Sequence, residues 1–204
     1  MRELTVKRCD VGLHVQVDGV DDPTAPTIVF SNSLGTSLPL WDGVVARMPN
    51  ALRIIRYDLR GHGRSDVPPA PYTMGALVSD AAEICDQLCV KDAMFVGLSV
   101  GGMIAQGLAV KRPDLIRALV ISNTAAKIGN AKMWQDRVDD IARTGLPAMT
   151  ENILDRWFGH AFRKTDAVTP WRDMLAATDP VGYAGVCAAI AGTDFYTPTS
   201  GLRI

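Results

Sequence analysis

The amino-acid sequence predicts an α/β fold, with a mostly parallel sheet that begins with an antiparallel hairpin and carries a helical cap. Residues 4–9 and 13–17 alternate apolar and polar side chains around a turn at residues 10–12, which is typical of a hairpin with one buried face. Short apolar runs then alternate with helical patterns, and this alternation favours parallel strands that are buried on both faces. Beyond Asn123 the chain offers amphipathic helical segments and no convincing strand.

Residue spacing predicts the strands and helices of the core. The parallel strands are short apolar or β-branched runs at residues 27–30, 53–57, 93–96 and 118–121. Apolar residues at helical spacing predict two helices, one from Trp41, Val44, Val45 and Met48 and one from Leu77, Ala81, Ile84 and Leu88. Thr73 is the expected N-cap of the second helix. A third helix is expected from Val100 until Pro113 ends it, because proline removes a backbone donor.

These elements divide the chain into three parts. We expect residues 1–124 to form the N-terminal part of an α/β core and residues 125–194 to form a helical cap over the sheet. Residues 195–204 are expected to return toward the core. The segment at residues 192–201 is rich in turn-forming residues and is predicted to be a loop. Residues 202–204 would begin another strand, at the point where the chain stops.

Composition excludes several functional classes. The chain of 204 residues has 21 Lys and Arg against 22 Asp and Glu, and this balance argues against nucleic acid or an anionic membrane as a partner. The four cysteines lack the spacing of a zinc or redox site, so no metal is expected and the thiols are predicted to be small buried side chains. The N-terminus lacks the apolar segment of a signal peptide, so a cytoplasmic location is expected. Residues 93–110 carry no charge, but their four glycines favour a strand, a turn and a buried helix over a membrane span.

The sequence Gly-Leu-Ser-Val-Gly at residues 97–101 is the strongest functional signal. A G-x-S-x-G turn between a strand and a helix holds its serine in a strained conformation, which exposes the hydroxyl above the sheet. The predicted strand before this motif and the predicted helix after it supply that setting. Ser99 is therefore the candidate nucleophile of an enzyme that opens an ester-type bond through an acyl-enzyme. The alternative is a glycine-rich turn with an incidental serine.

A serine nucleophile also needs backbone donors for the oxyanion that forms on the attacked carbonyl group. The NH group of Val100 is one candidate, because it directly follows the nucleophile in the turn. The second is expected in the loop after the first parallel strand, at residues 31–36, where Leu34 is the preferred residue. The alternative is that this segment is an ordinary connection between a strand and a helix.

No histidine has an evident role as the general base. His62 lies in the turn at residues 58–65, where a structural role in locking the loop is favoured over a catalytic one. His14 belongs to the hairpin and His160 to the cap, so neither is expected to reach Ser99. In the fold that carries a G-x-S-x-G turn between a strand and a helix, the catalytic residues occur along the chain in the order serine, acid, histidine. Both partners are therefore expected in sequence beyond Ile204, and the last strands and helices of the fold would be missing with them.

Several motifs together resemble the cofactor-independent α/β-hydrolases, and most closely the 3-oxoadipate enol-lactone hydrolases of aromatic catabolism. The resemblance extends over essentially the whole chain and is carried by Ser31 to Thr36, Trp41-Asp42, Arg56 to Ser65, Gly97 to Gly102, Arg112-Pro113, Trp134 to Arg137 and Ala191 to Tyr196. It implies an α/β-hydrolase fold, no cofactor and a small unsaturated lactone with a free carboxylate as the substrate.

A carboxylated substrate implies a cation beside an apolar wall in the pocket. Trp134 and Arg137 lie three residues apart on one predicted helix, so they share a helix face and are the candidate substrate-binding residues. The alternative is that they form a solvated surface pair.

Two other functions remain open at this stage. The first is another serine hydrolase on the same scaffold, such as a carbon–carbon bond hydrolase, an esterase or a cofactor-free haloperoxidase, because fold and nucleophile do not determine the substrate. The second is a catalytically incomplete chain that keeps the pocket and only binds ligand.

Overall fold

The structure is a computed structural model that describes residues 1–203; Ile204, at the end of the predicted last strand, lies outside the described residues. Its six-stranded sheet has the strand order β1-β2-β4-β3-β5-β6. The strands are β1 (Arg2–Arg8), β2 (Val11–Gly19), β3 (Thr27–Ser31), β4 (Arg53–Tyr57), β5 (Ala93–Leu98) and β6 (Ile116–Ser122). The first two pair antiparallel, β2 pairs antiparallel with β4, and the remaining pairs are parallel. The predicted hairpin and parallel strands are therefore confirmed.

Nine α-helices lie within the described residues, six of them after β6. The helices are α1 (Asp42–Val45), α2 (Met74–Gln87), α3 (Val100–Lys111), α4 (Ala131–Thr144), α5 (Leu146–Trp157), α6 (His160–Arg163), α7 (Thr169–Ala176), α8 (Pro180–Ala191) and α9 (Tyr196–Thr199). The predicted N-cap of α2 is confirmed, because the side chain of Thr73 accepts a hydrogen bond from the NH group of Ala76. Among the described helices, no single one is long and apolar enough to cross a bilayer; α7 with its preceding 3₁₀ turn and α8 reach that length and composition only across an 87° bend.

The sheet is buried unevenly. All five residues of β3 and of β4 are buried, as expected for central strands covered on both faces. The prediction of complete burial is wrong for β6, where Val120 and Ile121 are 45% and 47% exposed. The physical reason is that β6 is the edge strand of the described sheet and has a neighbour only in β5.

Two short segments differ from their predicted form. The predicted helix through Met48 is a 3₁₀ turn at Leu38–Trp41 followed by the four residues of α1. It ends there because the NH groups of Arg47 and Met48 bond three residues back, in tight turns. The predicted loop at residues 192–201 contains α9, whose first NH group donates to the Asp194 carboxylate. Leu202 and Arg203 form no strand.

The prediction for the cysteines is half right. Cys85 and Cys187 are buried, whereas Cys9 and Cys89 are exposed. Both exposed cysteines have positive φ angles of 53° and 54°, in turns that directly follow β1 and α2. Their side chains point away from the core because these tight turns lie at its surface.

The loop after β4 is fixed by buried charged groups. The carboxylate of Asp58 accepts hydrogen bonds from the NH groups of Leu38 and Arg64, at 2.8 and 3.0 Å. Arg60 donates two hydrogen bonds of 2.6 Å to Asp80 on α2, and both side chains of this pair are nearly excluded from solvent. The loop is therefore tied to the helix on one side of the sheet and to the 3₁₀ turn on the other.

Candidate active site

The turn between β5 and α3 holds Ser99 in a strained backbone conformation. Ser99 has φ 56° and ψ −117°, a combination of backbone angles that residues with a Cβ atom rarely adopt. It directly precedes α3 and its side chain makes no capping hydrogen bond to that helix. The strained junction predicted from the glycine spacing is confirmed.

Glycine is required on both sides of this serine because the backbones approach each other too closely for a side chain. A Cβ at Gly97 would collide with the main chain of Gly101, and a Cβ at Gly101 would collide with the carbonyl oxygens of Ser31 and Asn32. The first contact seats α3 against the end of β5. The second brings the start of α3 against the loop that follows β3.

Hydrogen bonds from the end of β6 hold the serine in place. The NH group of Ser99 donates to the carbonyl oxygen of Ser122 at 2.9 Å, and the hydroxyl of Thr124 donates to the carbonyl oxygen of Ser99 at 2.7 Å. Asn123, between these two residues, has a φ of 48°. The strained turn is thus anchored by a second strained segment.

Ser99 lines a cavity of about 360 Å³ between the sheet and the cap helices, which is near the lower end of the range for small-ligand sites. The sheet side of the cavity is largely polar and consists of Ser33, Thr36, Leu40, Leu98, Ser99 and Asn123. The cap side is aromatic and cationic and consists of Arg156, Trp157, Phe158 and Trp171. Among residues 1–203, no group of three His, Cys, Asp or Glu side chains is placed to hold a metal ion.

The two predicted oxyanion donors lie in the two segments that meet beside Ser99. Leu34 is buried in the loop after β3, and Asn32 anchors this loop by donating to the carbonyl oxygen of Tyr57 and accepting from the indole of Trp41. Val100 is the first residue of α3. In the part of the chain that the structure describes, the NH groups of Leu34 and Val100 donate to no backbone acceptor in a turn, loop or cap. Both residues are buried, and neither is among the residues that line the cavity, so their role as oxyanion donors stays a prediction.

Each of the three histidines is engaged or located away from the serine. His14 Nδ1 lies 2.9 Å from the carboxylate of Asp58, and His160 is exposed at the start of α6. His62 accepts a hydrogen bond from the NH group of Gly35 at 3.0 Å. Within residues 1–203, no histidine nitrogen is hydrogen-bonded to Ser99 Oγ, as the sequence predicted.

His62 locks the loop after β4 in its neutral form. Burial lowers its pKa to about 4, because the hydrogen bond to the carbonyl of Arg60 and the charge of Asp58 offset the loss of solvation only in part. A neutral ring keeps Nε2 free to accept from Gly35, whose φ of 76° brings its NH group toward the imidazole. The structural role favoured for this histidine agrees with that geometry.

Acid is expected to destabilise the protein through His62. The unfolded imidazole has a pKa near 6.5 and the folded one about 4, so protons bind preferentially to the unfolded chain as pH falls between these values. The contribution of neutral His62 to the free energy of unfolding is about 3 kcal/mol. It is present above about pH 6.5 and is lost toward about pH 4. Urea unfolding at about pH 6.5 and about pH 4 should show that His62→Gln loses less free energy of unfolding between these values than the wild type does. The exposed His160→Gln is the control, and an equal loss in all three proteins would contradict this prediction.

The structure brings Trp134 and Arg137 together but does not place either among the residues that line the Ser99 cavity. The guanidinium of Arg137 lies 5.3 Å from the centre of the Trp134 ring, as their spacing on one helix face predicted. The indole of Trp134 is buried and donates to the carbonyl of Ile128 at 2.7 Å. The aromatic wall of the cavity is formed instead by Trp157, Phe158 and Trp171.

Arg156 is the charged residue in the cavity lining and was not among the site residues predicted from the sequence. It lies at the C-terminal turn of α5 and immediately precedes Trp157 and Phe158. A basic residue followed by two aromatic residues in a predicted cap helix was an available signal. Which side of α5 faces the cavity depends on how the helix packs in the fold, and the sequence does not determine that orientation.

The fold and this site define a hydrolase. A family model described as alpha/beta hydrolase fold matches residues 26–169, and the chain belongs to that family. It is 36% identical over 192 residues to 3-oxoadipate enol-lactonase 2 of Acinetobacter baylyi, an alignment that covers 93% of this chain and 71% of that protein.

Solved structures agree with this assignment. The crystal structure of the enol-lactonase from Burkholderia xenovorans LB400 is matched with a TM-score of 0.94 and 36% identity, over 98% of this chain and 78% of that one. A hydrolase from Pseudomonas aeruginosa PA01 is matched with a TM-score of 0.89 and 37% identity, over 94% of this chain and 73% of that one. The predicted α/β-hydrolase fold and the resemblance to enol-lactonases are confirmed.

Proposed function

We propose that the protein is a serine hydrolase that opens 3-oxoadipate enol-lactone to 3-oxoadipate, in the cytoplasmic breakdown of aromatic compounds, with Ser99 as the nucleophile. The observation that carries the proposal is the strained Ser99 in the cavity between sheet and cap. Strain of this kind persists only where the surroundings enforce it, and it is concentrated at functional sites. The similarity to enol-lactonases at 36% identity supports the choice of substrate.

The proposed reaction uses Ser99, the two predicted oxyanion donors and a general base. Ser99 Oγ attacks the lactone carbonyl and loses its proton to a base, while the NH groups of Leu34 and Val100 stabilise the oxyanion. The carbon–oxygen bond of the ring breaks, and the ring oxygen leaves as an enolate that takes up a proton. The result is an acyl-enzyme in which the opened chain is esterified to Ser99. Water then attacks this ester, releases the acid and returns the proton to Ser99, and the enol tautomerises to the ketone without the enzyme.

The base is the part of this mechanism that the described residues do not provide. Within residues 1–203, neither an imidazole nor a carboxylate is hydrogen-bonded to the hydroxyl of Ser99, and the buried His62 is neutral and engaged with Gly35. This observation favours one second candidate function, in which a polypeptide of these 204 residues binds the lactone without turning it over. Binding and acylation therefore have to be measured separately.

Added imidazole distinguishes the two functions, because it can replace a missing general base in an open site. We expect the 204-residue polypeptide to open the enol-lactone faster as imidazole is added, with mass spectrometry showing an acyl adduct on the peptide that contains Ser99. Ser99→Ala should leave only the rate of imidazole in buffer, and Ser79→Ala, at a half-buried serine on α2 that does not line the cavity, should match the wild type. Equal rates in the wild type and Ser99→Ala, together with lactone binding, would support the binding function.

A further inference from the structure

Two cap arginines lie close to each other without a carboxylate partner. Three other arginines of the cap each form an ion pair: Arg143 with Asp140, Arg163 with Asp155, and Arg172 with Glu151. In the described chain, no carboxylate oxygen comes within ion-pair distance of Arg137 or Arg156. Arg137 Nη1 donates a long hydrogen bond of 3.4 Å to the hydroxyl of Tyr183. The cap therefore carries an uncompensated pair of positive charges.

The two arginines differ in the space they line. Arg156 lines the Ser99 cavity and also a surface groove between α4 and α5, whereas Arg137 lines only the groove. Arg137 is held over the ring of Trp134 on α4. Partial burial and the positive charge of Arg137 lower the pKa of Arg156, so an anion beside Arg156 would relieve an unfavourable interaction.

The cavity separates two chemical functions on opposite walls. Ser99 lies on the sheet side, and Arg156 lies on the cap side next to Trp157 and Trp171. A ligand with a reactive carbonyl at one end and a carboxylate at the other would place the carbonyl against the serine. Its carboxylate would then meet a planar guanidinium, which binds carboxylates with two parallel hydrogen bonds.

From this arrangement we infer that Arg156, not Arg137, is the residue that selects a carboxylated substrate. The inference rests on the proposed function for the lactone, but its charge recognition can be measured with a carboxylate that is not a lactone. Arg137 lines the groove beside Arg156 and adds to the positive field that acts on it.

Two pairs of probes test the inference in the 204-residue protein by calorimetry, without any need for turnover. The first pair is a saturated γ-lactone with an acetate arm and the methyl ester of the same compound. The second pair is hexanoate and hexanamide. Arg156→Gln removes the charge and keeps a polar side chain, and Arg172→Gln is a matched control at a partly exposed cap arginine whose partner is Glu151.

We expect Arg156→Gln to weaken binding of each carboxylate about tenfold, the order expected for one charge-assisted interaction at a solvent-accessible site. Binding of the ester and the amide should change by less than about twofold, and Arg172→Gln should resemble the wild type. Equal losses for charged and neutral probes would mean that Arg156 only shapes the cavity at the end of α5, and would overturn the inference. A larger loss in Arg137→Gln than in Arg156→Gln would also overturn it.

The two probe pairs separate this inference from the lactone function. If the wild type binds neither lactone but prefers hexanoate to hexanamide, and Arg156→Gln removes that preference, Arg156 is the anion-binding residue and the lactone substrate is wrong. If the wild type prefers the carboxylate in both pairs and Arg156→Gln leaves both preferences unchanged, the lactone function stands and the role of Arg156 is wrong.

Discussion

Replacing Asp80 with alanine is expected to lower the free energy of unfolding by about 3 to 5 kcal/mol, the range for breaking a buried ion pair by removing one partner. Asp80 is 2% exposed and accepts two hydrogen bonds from Arg60. Without the carboxylate, the guanidinium of Arg60 stays in a site where burial opposes its charge, and the hydrogen bonds and charge of Asp80, the largest contributions that raise its pKa, are lost. Urea unfolding followed by circular dichroism measures this loss.

A surface ion pair provides the control for Asp80. Asp114 pairs with Arg112 at 2.7 Å, but its side chain is 60% exposed, so Asp114→Ala should lower stability by less than about 1 kcal/mol. Replacing both buried partners, as Arg60→Met with Asp80→Leu, should recover most of the stability because the buried guanidinium is removed together with its carboxylate. Arg8, which also pairs with Asp80 at 3.3 Å, has a side chain that is 27% exposed and can be solvated. Similar losses of the free energy of unfolding for Asp80→Ala and Asp114→Ala would contradict the prediction that breaking the buried ion pair costs more than breaking the exposed one.

Replacing Gly97 with alanine is expected to lower the free energy of unfolding by about 3 kcal/mol, at the upper end of the range for an overpacked core. The new methyl group would collide with the backbone of Gly101 and Gly102, and backbone cannot rotate aside as a side chain does. The helix α3 would have to move away from β5, which would carry Ser99 out of its position in the cavity.

The control for Gly97 is another glycine with free space around it. Gly159 has no atom within 4 Å of an added Cβ and a φ of −63°, so Gly159→Ala causes no collision. It should cost only a fraction of about 1 kcal/mol, because alanine is a poorer N-cap residue than glycine. Denaturant unfolding of both variants tests the difference, and the acylation assay of Gly97→Ala reports the position of Ser99. A loss below about 1 kcal/mol for Gly97→Ala would show that α3 adjusts more easily than the contact distances imply.

Much of the fold could be predicted because the relevant patterns are local. Alternation in residues 4–9 and 13–17 predicted β1 and β2, and the cap at Thr73 marked the start of α2. The shortened helix after Trp41 and the small α9 escaped prediction, because three or four residues carry too little periodicity to separate a helical turn from a loop. The exposure of β6 also escaped, because it depends on how many neighbours a strand has in the finished sheet.

The sequence by itself determined the turn at Ser99, because the strain depends on a strand, two glycines and a helix within a few consecutive residues. It also indicated the structural character of His62, whereas the role of Leu34 as an oxyanion donor stays a prediction. Only the tertiary structure decided which cap residues face the serine. Helical spacing showed that Trp134 and Arg137 share a face of α4, but the packing of α4 and α5 set that face outside the cavity and placed Arg156 inside it. The direction of a helix face depends on contacts between elements distant in sequence, and local periodicity carries no information about them.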